Sequence, residues 1–300
     1  MLSFKTPVLR TSLAITTGAG CRNRCSYCPQ ETFLRSYHAL SEQMTMSLAA
    51  FKGCIKSVPK DICLSFSGFC EPWLNPYCTR MVLHAHEKGF RIRVNTTLVG
   101  MTTEDVRLLT GIPFVKFVVH LPDNSGLTRI RTNGRYFEVL SALVRARIKN
   151  VAWKFHKAGP GMDIHTEVKQ VVLEAGCRIT YVPLNNRAGN ITVNDSYSSV
   201  NLGKALHPCQ DFRHNILLPN GDVALCHMDW SLRHVLGNLL EISYADLFKG
   251  KAFYDLNAAL DNPGSDILCR HCEKDIVRRS LPGKILRYVT RKLQGRKDIY

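Results

Sequence analysis

The chain has 300 residues, 45% of them hydrophobic, and a formal net charge of +16. This length suits one large domain or two unequal ones, with ample apolar material for a core. No apolar run reaches the roughly 18 residues of a membrane-spanning helix, and the first residues lack the hydrophobic region of a signal peptide, so a cytoplasmic protein is expected. The excess positive charge predicts an anionic partner: a phosphorylated substrate, a membrane surface or nucleic acid.

Strand and helix signals alternate from residue 12 to about residue 185 and predict six β–α units. Strands are expected at 12–17, 62–67, 90–95, 115–120, 151–155 and 178–182. Helices are expected at 46–58, from an Asn75 N-cap to Gly89, from Thr103 to Gly111, and over 135–150 and 163–175. No hairpin signal interrupts the series, so the strands form a parallel sheet with helices outside, as a doubly wound sheet or an incomplete (β/α) barrel.

The pattern changes after a polar linker at 192–206, and a domain boundary is expected near residue 200. Two strand-like runs, 214–218 and 222–226, flank Asn220-Gly221, which is a strong hairpin signal. Short helices are expected at 242–249 and 251–260. The second part is therefore a small α+β unit.

Three cysteines, Cys21, Cys25 and Cys28, lie within eight residues at spacing C-x3-C-x2-C. A loop this tight can bring three thiols onto one face, and thiolates are the ligands of iron–sulfur clusters. A four-iron cluster held by three thiolates keeps one iron open for chemistry, as catalytic zinc sites keep an open position. A zinc site and unrelated buried cysteines are the alternatives, although zinc sites usually pair C-x2-C units. Twelve cysteines in a cytosolic chain favour metal binding or catalysis over disulfides.

The same motif, including Tyr27 before the third cysteine, resembles the signature of the radical S-adenosylmethionine (SAM) superfamily. In that family the open iron chelates SAM, and an electron from the cluster splits SAM into methionine and a 5′-deoxyadenosyl radical. The radical then removes a hydrogen atom from the substrate. The resemblance covers residues 12 to about 190 and implies an α/β fold with a partial (β/α)6 barrel, whose active site lies at the carboxyl ends of the strands.

Further residues at the predicted strand ends are candidates for SAM or substrate binding. Gly68 and Glu71 follow the second strand and resemble the family's glycine–glutamate motif, with Cys70 where a second glycine often stands. Barrel geometry directs the next three candidates toward SAM or substrate, although capping or hydrating a loop is an equal alternative: Asn95, His120 and Lys154. Two residues after the sixth strand resemble the family's last SAM-contacting segment: Asn185 and Arg187.

A second cysteine set consists of Cys209, Cys226, Cys269 and Cys272. Four thiols can hold a tetrahedral zinc ion or a second four-iron cluster, and ligand type does not separate the two. The segments 221–226, 237–239 and 269–273 resemble the twitch domain, the short form of the SPASM domain that follows radical SAM barrels. That resemblance implies one auxiliary cluster with every iron ligated by protein, suited to electron transfer.

The remaining features are the five cysteines outside the two sets and the end of the chain. Four cysteines fall in helix or strand patterns and are expected in the core: Cys54, Cys63, Cys78 and Cys177. Cys70 is instead a candidate hydrogen-atom donor, or a small residue filling a glycine-like place.

The tail from Lys274 to Tyr300 has nine basic against two acidic residues and an amphipathic helical pattern. It is expected either at an anionic membrane surface, or as a substrate guide, or as a solvated end.

Together these observations predict a barrel over 1–195, a SPASM- or twitch-type domain over 200–275 and a basic tail over 276–300. The resemblance to sugar and polysaccharide biosynthesis proteins implies oxidation or epimerisation of a sugar-like or aminocyclitol substrate, carbohydrate and possibly anionic. It also implies a reductant such as flavodoxin or ferredoxin. Alternatives are a peptide maturase, for whose usual peptide-binding domain the N-terminus leaves no room, and a non-catalytic iron–sulfur sensor. No nucleic-acid motif is present.

Overall fold

The computed structural model describes residues 12–157, 161–191, 206, 209, 212 and 214–272. Most of the predicted linker and the whole predicted basic tail lie outside these described residues. Within them, no helix has both the length and the apolar character needed to cross a membrane.

One sheet of nine strands organises the described part of the chain, in the order β6-β5-β4-β3-β2-β1-β7-β8-β9. The strands are β1 Ser12–Ile15, β2 Cys63–Phe66, β3 Ile92–Thr96, β4 Lys116–His120, β5 Val151–Lys157, β6 Ile179–Pro183, β7 His214–Leu217, β8 Asp222–Ala224 and β9 Val235–Asn238. The first six are parallel, and β7 adds a parallel partner to β1 before β8 and β9 return antiparallel. The predicted α/β class and largely parallel sheet are thus confirmed. The division into domains stays a prediction, because the sheet itself runs across the expected boundary.

Helices connect the parallel strands: α1 Gln30–His38, α2 Leu48–Ile55, α3 Cys78–Glu87, α4 Thr103–Leu109, α5 Gly134–Arg145 and α6 Thr166–Glu174, with α7 Lys251–Asp261 near the end of the described chain. Short 3-10 turns lie at Pro72–Leu74, Asp246–Phe248 and Leu268–His271. The expected helix over 242–249 is therefore only one short turn.

One local prediction was wrong and one helix was missed, both for a tertiary reason. Asn75 does not cap α3, which begins at Cys78. Its side-chain nitrogen instead donates to the carbonyls of Thr17 and Met46, both at 2.8 Å, and so fastens the end of β1 to the segment before α2. Helix α1 was not anticipated, because its buried residues Phe33 and Tyr37 pack against residues far away in sequence.

The two faces of the sheet differ in character. On the outer face, alternate strand residues such as Leu64, Val94 and Phe117 join the large core against the helices. On the inner face, the part formed by β1, β7 and β8 is apolar and is covered by α1, where Phe33 packs against Phe69 and Trp230. The part formed by β2 to β5 carries polar side chains and lies below the cysteine loop.

Candidate active site

The cysteine loop follows the carboxyl end of β1 and is fixed by neighbouring loops. The Cys28 amide donates to the Cys25 carbonyl at 2.9 Å, which closes a tight turn between two of the thiols. The Ser26 amide donates to the Leu127 carbonyl at 2.8 Å, and the Asn23 side chain donates to the Thr97 hydroxyl at 2.8 Å. The loops after β3 and β4 therefore hold the thiols at the active-site end of the sheet.

The three thiols lie close enough to perturb one another. Burial raises the pKa of Cys21 to about 11. The hydrogen bond between the side chains of Cys25 and Cys28 raises the pKa of Cys25 and lowers that of Cys28, and the Arg187 guanidinium lowers the latter further. Thiols this buried gain most from a metal partner, since a coordinating thiol is deprotonated outright. The donor set consists of three soft sulfurs on one short loop, and it fits an iron–sulfur cluster.

Within the described residues, no three Cys, His, Asp or Glu side chains converge on a point suited to a single metal ion. A four-iron cluster takes one thiolate at each of several irons, so its ligands stand farther apart than those of one ion. The described residues are therefore compatible with a four-iron cluster even though they form no single-ion site.

Gly68 lets the end of β2 approach the end of β1. It has φ +99°, and an added Cβ atom would lie 2.1 Å from the Thr16 hydroxyl oxygen. The same hydroxyl accepts a hydrogen bond from the Phe69 amide at 3.3 Å. Only glycine fits both the backbone conformation and this close approach. The predicted role of Gly68 in binding SAM stays a prediction.

Glu71 joins two strand ends beneath the cysteine loop. One carboxylate oxygen accepts from the Thr96 hydroxyl at 2.6 Å, and the other accepts from the Thr97 amide at 2.6 Å and the Thr97 hydroxyl at 2.7 Å. Burial raises the pKa of Glu71 to about 7, and its backbone amide faces the Cys21 thiol. The carboxylate thus braces β2 against β3, and its predicted contact with SAM stays a prediction.

Cys70 lies between the end of β1 and the cysteine loop. Its sulfur is 3.6 Å from the Thr17 hydroxyl, and burial raises the pKa of this thiol to about 12. The other groups that influence it are the Gly18 backbone, Cys21 and Glu71. The Cys70 thiol therefore belongs to the surroundings of the cysteine loop.

Asn95, His120 and Lys154 all lie on the polar inner face. Their strand neighbours Val94, Val119 and Trp153 pack in the outer core, and alternation places the three candidates on the opposite side. His120 and Lys154 are directly paired across β4 and β5. The structure thus brings these candidates together below the thiols, whereas their individual roles stay predictions.

His156 completes this face and was missed in the sequence. Its ring stacks on His120 with centroids 5.0 Å apart and also lies 5.2 Å from the Tyr27 ring. Burial lowers the pKa of His120 to about 3 and that of His156 to about 4, so both imidazoles are neutral near pH 7. The missed signal was the alternation along β5, which puts His156 on the same side as Lys154.

The loop after β6 reaches both cysteine sets. Arg187 donates from Nε to the Tyr27 carbonyl at 3.3 Å, within the first set. Asn186 donates to the His271 carbonyl at 3.4 Å, between Cys269 and Cys272. Asn185 accepts from the Arg187 amide at 3.1 Å and so shapes the loop, and its predicted contact with SAM stays a prediction.

The second cysteine set is assembled from separate segments. Cys226 follows β8, and burial raises its pKa well above the usual value, with Cys269, Asp229 and Cys209 adding to the shift. Cys269 and Cys272 lie in and just after the last 3-10 turn, where the Cys272 amide donates to the Cys269 carbonyl at 3.4 Å. Strands β7 and β8 form the predicted hairpin. This hairpin was expected to bring the regions of Cys209 and Cys226 together.

A cavity of about 970 Å³ is lined in part by residues of the cysteine loop, namely Arg22, Asn23 and Arg24. It is bounded by the loops after β2, β3 and β4. Five exposed arginines line it: Arg22, Arg24, Arg129, Arg131 and Arg135.

Residues 209–273 match the SPASM family, an iron–sulfur cluster-binding domain, and this range contains all four cysteines of the second set. The match confirms the predicted iron–sulfur domain over the zinc alternative. No curated protein sequence matches the chain at a significant level.

Many solved structures share the fold, including those of BtrN, anSMEcpe and SuiB. BtrN in complex with AdoMet and 2-DOIA has 18% identity and a TM-score of 0.60, over 89% of this chain and 94% of that one. Native anSMEcpe with bound AdoMet has 14% identity and a TM-score of 0.59, over 95% and 98%. SuiB from Streptococcus suis, bound to precursor peptide SuiA, has 11% identity and a TM-score of 0.61, over 87% and 72%.

These three proteins are radical SAM enzymes with SPASM or twitch domains. The chain has their fold and carries a SPASM domain, which confirms the resemblance seen in its sequence.

Proposed function

We propose that this chain is a radical SAM oxidoreductase that oxidises a carbinol carbon of a sugar-like or aminocyclitol substrate. The observation that carries the proposal is the position of three thiols above a polar inner face. The loop after β6 contacts both these thiols' loop and the second, four-cysteine set. Arg187 and Asn186 are the contacts of that loop. Among the similar structures, BtrN is bound to AdoMet and 2-DOIA, which supports a small-molecule substrate.

The residues present suit SAM and two [4Fe-4S] clusters. Cys21, Cys25 and Cys28 hold the first cluster, and the second set holds the auxiliary one. When bound, these groups supply a 5′-deoxyadenosyl radical that takes hydrogen from carbon and an acceptor for the second electron of the oxidation. Overall the alcohol loses two electrons and two protons to become a carbonyl.

The chain's own residues orient and shield the reaction. Glu71 and Gly68 fix the strand ends beneath the thiols, so the rim of the site is rigid. His120 and His156 form a neutral stacked pair whose Nδ1 atoms are buried and lack a hydrogen-bond partner among the described residues. A neutral imidazole nitrogen can accept a hydrogen bond, so this pair is suited to orient the hydroxyl group of the substrate, whose proton passes to solvent.

Oxidation is favoured over epimerisation by the surroundings of Cys70. An epimerase needs a hydrogen donor on the face of the substrate opposite the abstraction, and a thiol is the natural donor. The contacts of Cys70 are with Thr17, Gly18 and the cysteine loop, on the β1 side of the site. His120, Lys154 and His156 face the substrate space from β4 and β5 instead.

The test is anaerobic incubation of the reconstituted protein with SAM, reductant and a panel of sugars and aminocyclitols in D2O. We expect 5′-deoxyadenosine, a carbonyl product without deuterium at carbon, and retained activity in Cys70→Ala. Deuterium at an inverted carbon, lost with turnover in Cys70→Ala, would identify an epimerase. Absence of 5′-deoxyadenosine under all conditions would support the non-catalytic sensor.

A peptide maturase is the second candidate, since SuiB and anSMEcpe are solved with peptides. A panel of peptides in the same assay separates it, because only a maturase forms more 5′-deoxyadenosine when a peptide is added. We further propose a cytoplasmic location, a flavodoxin or ferredoxin as reductant, and peripheral contact of the basic tail with anionic membranes.

A further inference from the structure

The polar part of the inner face is cationic. Three of its side chains carry positive charge, namely Arg93 on β3, Lys116 on β4 and Lys154 on β5. Strand alternation places them on this side, because Ile92, Phe117 and Phe155 next to them pack in the outer core. Arg93 and Lys116 are directly paired across the sheet. All three are partly buried.

Within the described residues, nothing neutralises these charges. None of the three forms an ion pair with a described acidic side chain. The inner-face positions of β1 to β6, all of which the structure describes, hold no Asp or Glu. The Nε atom of Arg93 is buried and has no hydrogen-bond partner in the described part of the chain.

Such an arrangement is unfavourable unless an anion binds to it. Like charges in a partly desolvated space repel one another, and buried charges are normally paired. The pKa of Lys154 is lowered by burial and by the charges of Lys116 and Arg93.

Arg93 and Lys116 lie away from the place expected for SAM, whereas Lys154 lies directly beside His120 and reaches the same inner face from the rim. Lys116 precedes His120 by four residues on β4, so it lies roughly 13 Å deeper in the sheet at about 3.3 Å per residue. The thiols and Arg187 are at the upper rim, beside Tyr27 and His156. A ligand that reaches from the rim to these cations carries its anionic end away from the reacting carbon.

We propose that Arg93, Lys116 and Lys154 bind the phosphate group of a phosphorylated substrate inside the barrel. A phosphate carries close to two negative charges and several acceptor oxygens, which suits an arginine and two lysines better than a single carboxylate does. This inference rests on the proposed function, which supplies the reaction at the other end of the substrate. The sugar-like substrate would then be a sugar phosphate.

The experiment is equilibrium dialysis of radiolabelled inorganic phosphate against the reconstituted full-length chain. We expect wild type to bind phosphate, and Arg93→Gln and Lys116→Gln each to weaken binding roughly tenfold, the loss of one charge-assisted contact. Lys116→Arg keeps the charge and is expected to restore binding. Two controls are expected to leave the dissociation constant unchanged: Arg131→Gln in the outer arginine-lined cavity and Lys157→Gln at the exposed end of β5.

An unchanged dissociation constant in both inner-face variants would overturn the proposal, as would an equal loss in Arg131→Gln. Iron content and circular dichroism of each variant show that it is folded. Binding of phosphate requires no radical chemistry, so the two proposals fail separately. Phosphate binding without SAM cleavage rejects the proposed function alone, and SAM cleavage without phosphate binding rejects only this inference.

Discussion

The two cysteine sets are built in opposite ways. Cys21, Cys25 and Cys28 come from one loop of eight residues, which is shaped by a local turn and held by hydrogen bonds to the loops after β3 and β4. The second set draws on segments more than sixty residues apart, because Cys209 precedes the hairpin and Cys272 follows the last 3-10 turn. The thiols of the first set are therefore neighbours through their spacing in the sequence, whereas those of the second set become neighbours only through the packing of the C-terminal part.

The difference also concerns chemistry. Three thiols leave one iron of a four-iron cluster open to a ligand, whereas four thiols leave none open. The three-thiol set lies by the polar inner face, and the four-thiol set lies next to the loop after β6, where Asn186 contacts His271. Loss of each set should thus have distinct consequences.

The largest effect is expected for removal of one thiol from each set. Wild type should hold about eight irons per chain after anaerobic reconstitution, if each set builds a four-iron cluster. Cys28→Ala should keep about half of this iron and lose SAM cleavage entirely. Cys226→Ala should also lose about half of the iron but retain part of the SAM cleavage while losing substrate oxidation. Iron analysis measures the cluster content, and the yield of 5′-deoxyadenosine measures SAM cleavage. A wild-type protein with about four irons and one zinc would contradict the presence of two clusters.

A smaller effect tests the dependence of the second set on distant packing. Arg270 is fully buried and donates to the carbonyl oxygens of Ser265 and Asn262. Arg270→Met removes both of these buried hydrogen bonds and should destabilise the C-terminal part by about 3 kcal/mol. We expect less iron in the second set and unchanged SAM cleavage.

Arg233→Met is the matched control for that variant. Arg233 is more exposed and pairs with Asp266 at 2.8 Å, an ion pair near the surface. Its removal should cost only about 0–1 kcal/mol. Equal iron loss in the two variants, measured with thermal unfolding, would show that the second set does not depend on the buried arginine.

The smallest effect on either set is expected from removing Lys284 to Tyr300, which lie beyond all seven proposed ligands. Both clusters and SAM cleavage should be unchanged, while binding to vesicles containing anionic lipid should weaken. The difference should shrink at high salt, because exposed charges are screened within about 8 Å at physiological ionic strength. Equal vesicle binding at low salt would indicate that the tail is simply solvated.

Several elements were accessible to the sequence because their signals are local. The strands β1 to β6 were placed within a few residues, since each is a short β-prone segment between helix and turn signals. The hairpin of β7 and β8 followed from Asn220-Gly221, where Gly221 adopts φ +95°. Strand β9 was missed, because the short segment Val235–Asn238 has no local strand signal. It is a strand because it pairs with β8.

The sequence by itself determined the spacing of the first three thiols and the β–α alternation. It also carried the resemblance to radical SAM proteins with twitch domains, which accounts for both cysteine sets. Only the tertiary structure decided which side of each strand is the inner face, and therefore that Arg93 and Lys116 share it with Lys154. It also decided that the Glu71 carboxylate binds Thr96 and Thr97. The physical reason is that spacing along the chain fixes local geometry, whereas the face that becomes buried depends on which distant residues pack against it.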